Sequence, residues 1–327
     1  MNNNITVTAI PDWPYYEWQL EIQFLNMIDL GYDLSNYHVL VGYYTAVSAQ
    51  MLALAKRYPE VKWGFYPDTR KETRNYVSSI RPHLIAKHLR VNPWMEKIRF
   101  FFIDTDVIFR TLPDLHLLDD PDTWYFSETD YISLERIRGK GDHILADMCR
   151  IIGVSEESVI GAPDNGGAQI WLNDTSAEFW DGIEETTTKI HDYIKFTKPI
   201  AAKIWSKKTG LPPEDYIGLS EYLADMWVLL WICSSVNKKI SIEPMLDFCR
   251  PTDPLSRWQE CTMLHYSLMK GCAEPEYFIK STFAEGVDLY WQRSGTNNDV
   301  CGRKYIDYLE KMLVLRRQLE SAVQQTA

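Results

Sequence analysis

The sequence predicts an α/β fold built on a sheet whose interior strands are buried on both faces. Three observations carry this expectation. Strand-like and helix-like segments alternate four times before residue 110. The run Phe100, Phe101, Phe102, Ile103 is apolar at every position, as in the centre of a parallel sheet. Of the 327 residues, 46% are apolar and 13% aromatic, enough for a full core.

In order, ITVTAI (5–10) is β-rich and alternating, a first strand. PYYEWQLEIQFLNMIDLG opens on proline and closes at Gly31, the usual asymmetry of a helix. HVLVGYY (38–44) is a second strand, TAVSAQMLALAKRY a second helix and VKWGFY (61–66) a third strand. SSIRPHLIAKHL (78–89) is a helix that tolerates Pro82 only in its first turn. IRFFFIDTDVIF supplies the fourth strand. Beyond it the pattern loosens: strands at TWYFSE (123–128) and GGAQIWLN (166–173), a helix over about 133–152 between them, and helices at about 176–194 and 218–235. Strands KKISIEP (238–244) and TMLHYS (262–267) follow, then a last helix over about 303–323. That helix carries Tyr308, Met312, Leu315 and Leu319 at 4-3-4 spacing, a stripe for packing on its own domain or for a homodimer seam.

The net charge of −11 argues against the broad basic surface of a non-specific nucleic-acid binder. Local basic clusters exist at Lys56, Arg57, Arg70, Lys71, Arg74 and Arg81, and at Lys203, Lys207 and Lys208; solvated helix faces are their simplest reading. No apolar stretch approaches a membrane span, and MNNN has neither a basic nor an apolar leader region, so a cytoplasmic location is expected. The six cysteines show no CxxC spacing and are expected as reduced thiols.

The chemistry is expected at FFIDTDVIF (101–109). An ionised carboxylate in such a run is costly unless it is paired or binds a metal. Ligands in open α/β sheets bind beyond the carboxyl ends of the strands, where Asp104 and Asp106 fall. On an extended segment both side chains of Asp-x-Asp point to one side, which suits a divalent cation shared with phosphate oxygens. The plainer alternative is a loop start or helix cap.

A nucleotide-binding α/β half, an apolar strand ending in Asp-x-Asp and a less regular second half together resemble a metal-dependent glycosyltransferase of the GT-A fold. That resemblance implies a Rossmann-like mixed sheet flanked by helices, in one domain over 1–302 with a nucleotide-sugar half (1–110) and an acceptor half (111–302), followed by a C-terminal helix and tail (303–327). It implies that Asp104 and Asp106 hold Mn²⁺ or Mg²⁺ against the diphosphate of a UDP-sugar, with His265 of MLHYSL as third ligand. Imidazole beside carboxylates suits Mn²⁺ somewhat better. Taken alone, His265 reads as a hydrogen-bonded core residue.

More narrowly, ITVTAIPDWPYYEWQLEIQ, with Tyr16, Trp18 and Gln19, resembles the opening of the hydroxyproline O-arabinosyltransferase and peptidyl-serine galactosyltransferase group. IRPHLIAKHL, LADMWVLLW and MLHYSL resemble its later segments in the same order. The plant members enter the secretory pathway; without a leader, the chain is similar instead to phage arabinosyltransferases that modify 5-hydroxymethylcytosine in DNA, which would place it in the host cytoplasm. A peptide or glycan hydroxyl is the rival acceptor, and a non-catalytic nucleotide-sugar binder a further alternative.

This resemblance assigns the remaining candidates. Thr8 and Ala9 are expected to cradle uracil and ribose. Arg81 is placed to reach the diphosphate, or to form a surface salt bridge, and Lys270 is a further phosphate cation. In GAPDNGGAQIWLN, Asp164 and Asn165 are candidates for sugar hydroxyls, while Gly166 and Gly167 allow close backbone approach or positive φ, as an ordinary Asn-Gly turn would too. Retention is implied, with the leaving phosphate taking the acceptor proton. An inverting reaction would need a carboxylate base, for which Glu221 and Asp225 at i, i+4 on one helix are the candidates. Trp171 and Trp291 are candidates for stacking on a sugar or a base.

Overall fold

The computed structural model describes residues 4–70, 76–267, 277–287 and 299–326. Its elements in chain order are β1 (Ile5–Pro11), α1 (Pro14–Asp29), β2 (Tyr37–Tyr43), α2 (Ala49–Arg57), β3 (Lys62–Pro67), α3 (Ile80–Val91), β4 (Phe100–Phe102) and β5 (Val107–Phe109). Then come β6 (Thr123–Glu128), α4 (Leu134–Arg138), α5 (Asp142–Ile152), α6 (Glu156–Ile160), β7 (Gly166–Leu172), α7 (Ala177–Thr209), α8 (Ala224–Trp231), β8 (Lys239–Ile242), β9 (Phe248–Cys249), β10 (Met263–His265) and α9 (Gly302–Thr326). The expected mixed α/β class, strands flanked by helices, is what forms.

The chain divides into two compact units. The first comprises Met1–Pro67, Ile103–Leu115 and Met245–Ala327. In it β1, β2 and β3 run parallel in the order β3-β2-β1, with Val7 opposite His38 and His38 opposite Lys62. The middle strand is buried almost throughout, as its apolar run requires. Proline at the first turn starts α1, and Gly31, at φ 75°, ends the turn behind it. Ser48 caps α2 by accepting the Met51 N–H at 3.2 Å, and Asp12, at the end of β1, holds Ser48 in place.

A second, three-stranded sheet in the same unit has the order β5-β10-β9. Under it lies an apolar cluster in which α1 (Trp18, Ile22, Leu25) meets α9. The buried stripe of α9 is Tyr305, Ile306, Leu309, Met312 and Leu313. The stripe read from the sequence is thus rotated: Met312 is inside, but Leu315 and Leu319 are exposed.

The second unit comprises Asp68–Phe102 and His116–Pro244. Its strands run β4-β7-β6-β8, with β7 antiparallel to both neighbours and β8 parallel to β6. Three helical expectations shift here. The helix expected over 133–152 splits into α4 and α5 because Gly141 takes φ 148°, a conformation L side chains rarely adopt. Helix α7 runs past 194 to Thr209 with Pro199 inside it, closed by Gly210 at φ 75°. Helix α8 is shorter than expected, and Glu221 lies in the 3₁₀ turn before it, so no shared i, i+4 helical face with Asp225 forms.

Candidate metal centre

The carboxylates converge, but not by strand alternation. Ile103 donates its N–H to Val7 O of β1 at 3.1 Å, and the chain then turns at Thr105 and Asp106 before β5 begins. Strand β5 pairs antiparallel with β10, with Val107 opposite His265, and Tyr266 donates its N–H to Asp106 O at 2.8 Å. The register therefore sets His265 beside Asp106, although 159 positions separate them in the chain (265 − 106).

His265 Nε2 lies 3.3 Å from Asp106 Oδ1 and 3.6 Å from Asp104 Oδ2. One ligand atom from each of the three residues falls within 4.8 Å of the others. Phe248 of β9 meets the imidazole edge-on, with ring centroids 5.3 Å apart, and fixes its plane. The other oxygen of Asp106, Oδ2, accepts from the Lys280 ammonium. Both Asp106 and Lys280 are buried. Burial pushes the Asp106 carboxyl up, but Lys280 and His265 more than offset it and hold it well below the usual carboxylate range. Lys280, which burial would lower, is raised instead by Asp106.

This donor set fits a divalent ion. Two carboxylates face one ammonium, and two oxygens and a nitrogen face a common point. Asp104, Asp106 and His265 would hold the ion.

No family model matches the sequence, and no curated protein matches it. The structure is similar to several solved glycosyltransferases. The galactosyltransferase LgtC, in complex with donor and acceptor sugar analogs, has a TM-score of 0.44 and 14% identity, over 94% of this chain and 95% of that one. The bifunctional WbbM apo structure has a TM-score of 0.42 and 12% identity over 82% of this chain, which spans 46% of WbbM. Mouse xyloside xylosyltransferase 1, apo form, has a TM-score of 0.42 and 11% identity, over 83% of this chain and 99% of that one.

The other candidates lie as follows. Thr8 and Ala9 are buried in mid-strand, since β1 continues to Pro11. In the second unit Arg81 Nη2 lies 3.2 Å from Asp225 Oδ2, and Tyr76 donates its hydroxyl to Asp225 Oδ1 at 3.2 Å. Glu221 pairs with Lys198 at 3.4 Å. Asp164 accepts the Leu134 N–H at 2.7 Å, and the Asn165 amide donates to Glu128 at 3.1 Å.

Neither Gly166 nor Gly167 takes positive φ; the left-handed residue is Ala168, at φ 60° beside a β-bulge. What the glycines meet is the core. A Cβ on Gly166 would lie 2.7 Å from Ile242 Cδ1, and one on Gly167 2.4 Å from Met226 Cε. Trp171 is buried and donates to Leu118 O at 3.0 Å. Lys270 and Trp291 lie outside the described residues, as do Lys71, Arg74 and Cys272. Of the first basic cluster, Arg57, Arg70 and Arg81 are each paired with carboxylates. Cysteines 149, 233, 249, 261 and 301 are buried free thiols.

Sequence reasoning missed Lys280. A lone lysine in YFIKSTF carries no periodic signal; its apolar flanks, Phe278 and Phe283, are the only hint that it is buried. The α1 amides Gln23 and Asn26 were also missed. Both are buried, and Asn26 pairs with the Phe109 backbone through both its donor (2.9 Å) and its acceptor (2.7 Å).

Proposed function

We propose that this chain is a metal-dependent glycosyltransferase of the GT-A type, moving a sugar from a UDP-sugar to a hydroxyl group. The observation that carries the reading is the convergence of Asp104, Asp106 and His265 where the chain leaves a buried strand of an α/β fold. When bound there, a divalent ion would act as a Lewis acid on the departing nucleoside diphosphate. The chain's own part is to keep Asp106 ionised through Lys280, to fix the imidazole plane through Phe248 and to anchor the turn beside β1. Mn²⁺ is the proposed ion because an imidazole stands among the oxygens.

For the finer assignment the support is resemblance of sequence. ITVTAIPDWPYYEWQLEIQ and the later segments point to arabinose as the sugar and to 5-hydroxymethylcytosine in DNA as the acceptor, with retention. The same stretches resemble enzymes acting on peptide hydroxyls, which makes a peptide or glycan acceptor the second reading. Arg81 and Lys270 remain proposed phosphate contacts, and Asp164, Asn165, Gly166 and Gly167 proposed acceptor-side positions. Under retention the leaving phosphate takes the proton, so Asp225 need not act as base while bonded to Arg81 and Tyr76. Glu221 is the other carboxylate available to an inverting route.

The test is a transfer assay read by nucleoside mass spectrometry. It combines the protein, Mn²⁺, UDP-sugars including UDP-arabinose, and hydroxymethylcytosine DNA or a hydroxyproline peptide. Sugar on the base that is lost with EDTA or with Asp106→Asn supports the whole reading. UDP release with the DNA unmodified keeps the donor assignment and removes the acceptor. No turnover of any sugar nucleotide overturns the proposal.

A further inference from the structure

We infer that Gln23 and Tyr37 are positioning residues that set the geometry of the metal carboxylates from behind. The inference rests on reading Asp104, Asp106 and His265 as a metal centre, and extends that centre into α1 and β2.

Among the described residues β5, which follows the turn, is an edge strand, with β10 on one side and no strand on the other. Two α1 side chains supply the missing partners. Asn26 completes a two-bond pair with Phe109, as a neighbouring strand would. Gln23 does something more specific: its single amide nitrogen donates to Asp104 O at 3.0 Å and to Val107 O at 2.9 Å. These two carbonyls bracket Thr105 and Asp106. One nitrogen therefore closes the turn, and the spacing of the Asp104 and Asp106 backbones follows from it.

An amide can do this only in one orientation. Flipped, Gln23 would present Oε1 to two carbonyl oxygens, and both of those contacts would be repulsive. Tyr37, fully buried on β2, donates its hydroxyl to Gln23 Oε1 and so anchors the far end of the amide whose NH₂ group serves the turn. The relay Tyr37–Gln23 thus runs from the second strand to the backbone of the metal ligands. Partners that orient metal ligands in this way are worth about 10–100-fold in metal affinity.

The experiment measures Mn²⁺ affinity of the full chain by electron paramagnetic resonance of free Mn²⁺, with thermal midpoints alongside. The variants are Tyr37→Phe and Gln23→Met, with Leu54→Ala as a core control on α2. Both relay variants should bind Mn²⁺ about tenfold more weakly, whereas the control should lose thermal stability and keep its affinity. Relay variants that bind within twofold of the unaltered chain would overturn the inference and leave the metal reading standing. An unaltered chain that takes up no Mn²⁺ overturns both. If Gln23→Met does not fold, Tyr37→Phe, which removes one oxygen, decides.

Discussion

Lys280 Nζ lies against Oδ2 of Asp106, and the two residues are only 4% and 9% exposed. A lysine is therefore already placed as a cation on the carboxylate that would ligate a metal. Removing one member of a buried pair leaves the other charge uncompensated, at a cost of about 3–5 kcal/mol. Lys280→Met should lower the thermal midpoint accordingly. Added Mn²⁺ should then recover more of it than it adds to the unaltered chain, because the ion takes over the lost charge. Equal Mn²⁺-induced shifts in differential scanning fluorimetry would count against this.

His38 gives the fold a weak side in mild acid. Burial disfavours its charged form, and Lys62, opposite it on β3, repels it further, so its pKa falls to about 4. The unfolded chain takes up this proton near pH 6.5 and the folded chain only near 4. The contribution is complete above pH 6.5 and is lost as pH falls through that window, by about 3 kcal/mol. Urea unfolding of His38→Gln should show a flatter pH dependence there than the unaltered chain.

Gly166 and Gly167 separate a packing role from a ligand role. The Cβ of Gly166→Ala would press on Ile242 Cδ1 at 2.7 Å and on Phe126 Cβ at 2.9 Å, so stability should fall by about 1–3 kcal/mol. Gly167→Ala should cost less, because its nearest obstacle is the mobile end of Met226. If packing is the whole role, KM for the acceptor stays unchanged in the folded fraction of both variants.

The middle of α9 is tied to α1 by charge. Arg316 lies 2.8 Å from Glu17 Oε1 and 2.5 Å from Glu21 Oε2, and Arg57 shares both carboxylates. Arg316→Met should destabilise the chain by about 3 kcal/mol, with little relief from added salt, because the glutamates are buried. A loss that vanishes in high salt would show a surface pair instead.

How much of this was readable depended on whether the signal was local. The strands β1 to β3 are continuous β-rich runs, and the Asp-x-Asp and His265 are residue types that chemistry singles out. The pairing of β5 with β10 was not readable, because each has three residues and their partnership is set by folding across the chain. The helix expected at about 176–194 runs on through Pro199 as α7, the proline lying in a stretch with no buried residue. Gln23 and Asn26 sit among apolar neighbours on α1, and nothing in their spacing tells a clamp from a surface amide. The glycine pair could be read as a ligand loop or as an ordinary turn, because sequence shows that room was needed but not what fills it.

The register of β5 against β10 makes the geometry of this centre discrete. Side chains alternate across a strand, so one residue inserted between Met263 and His265 would turn the imidazole to the opposite face and leave the two aspartates facing a different side chain. Two inserted residues would restore the face but move the ring by about 7 Å, beyond ligating distance. Lineages of this chain can therefore lengthen the loop before β10 freely, but within the strand they can only keep the site or lose it.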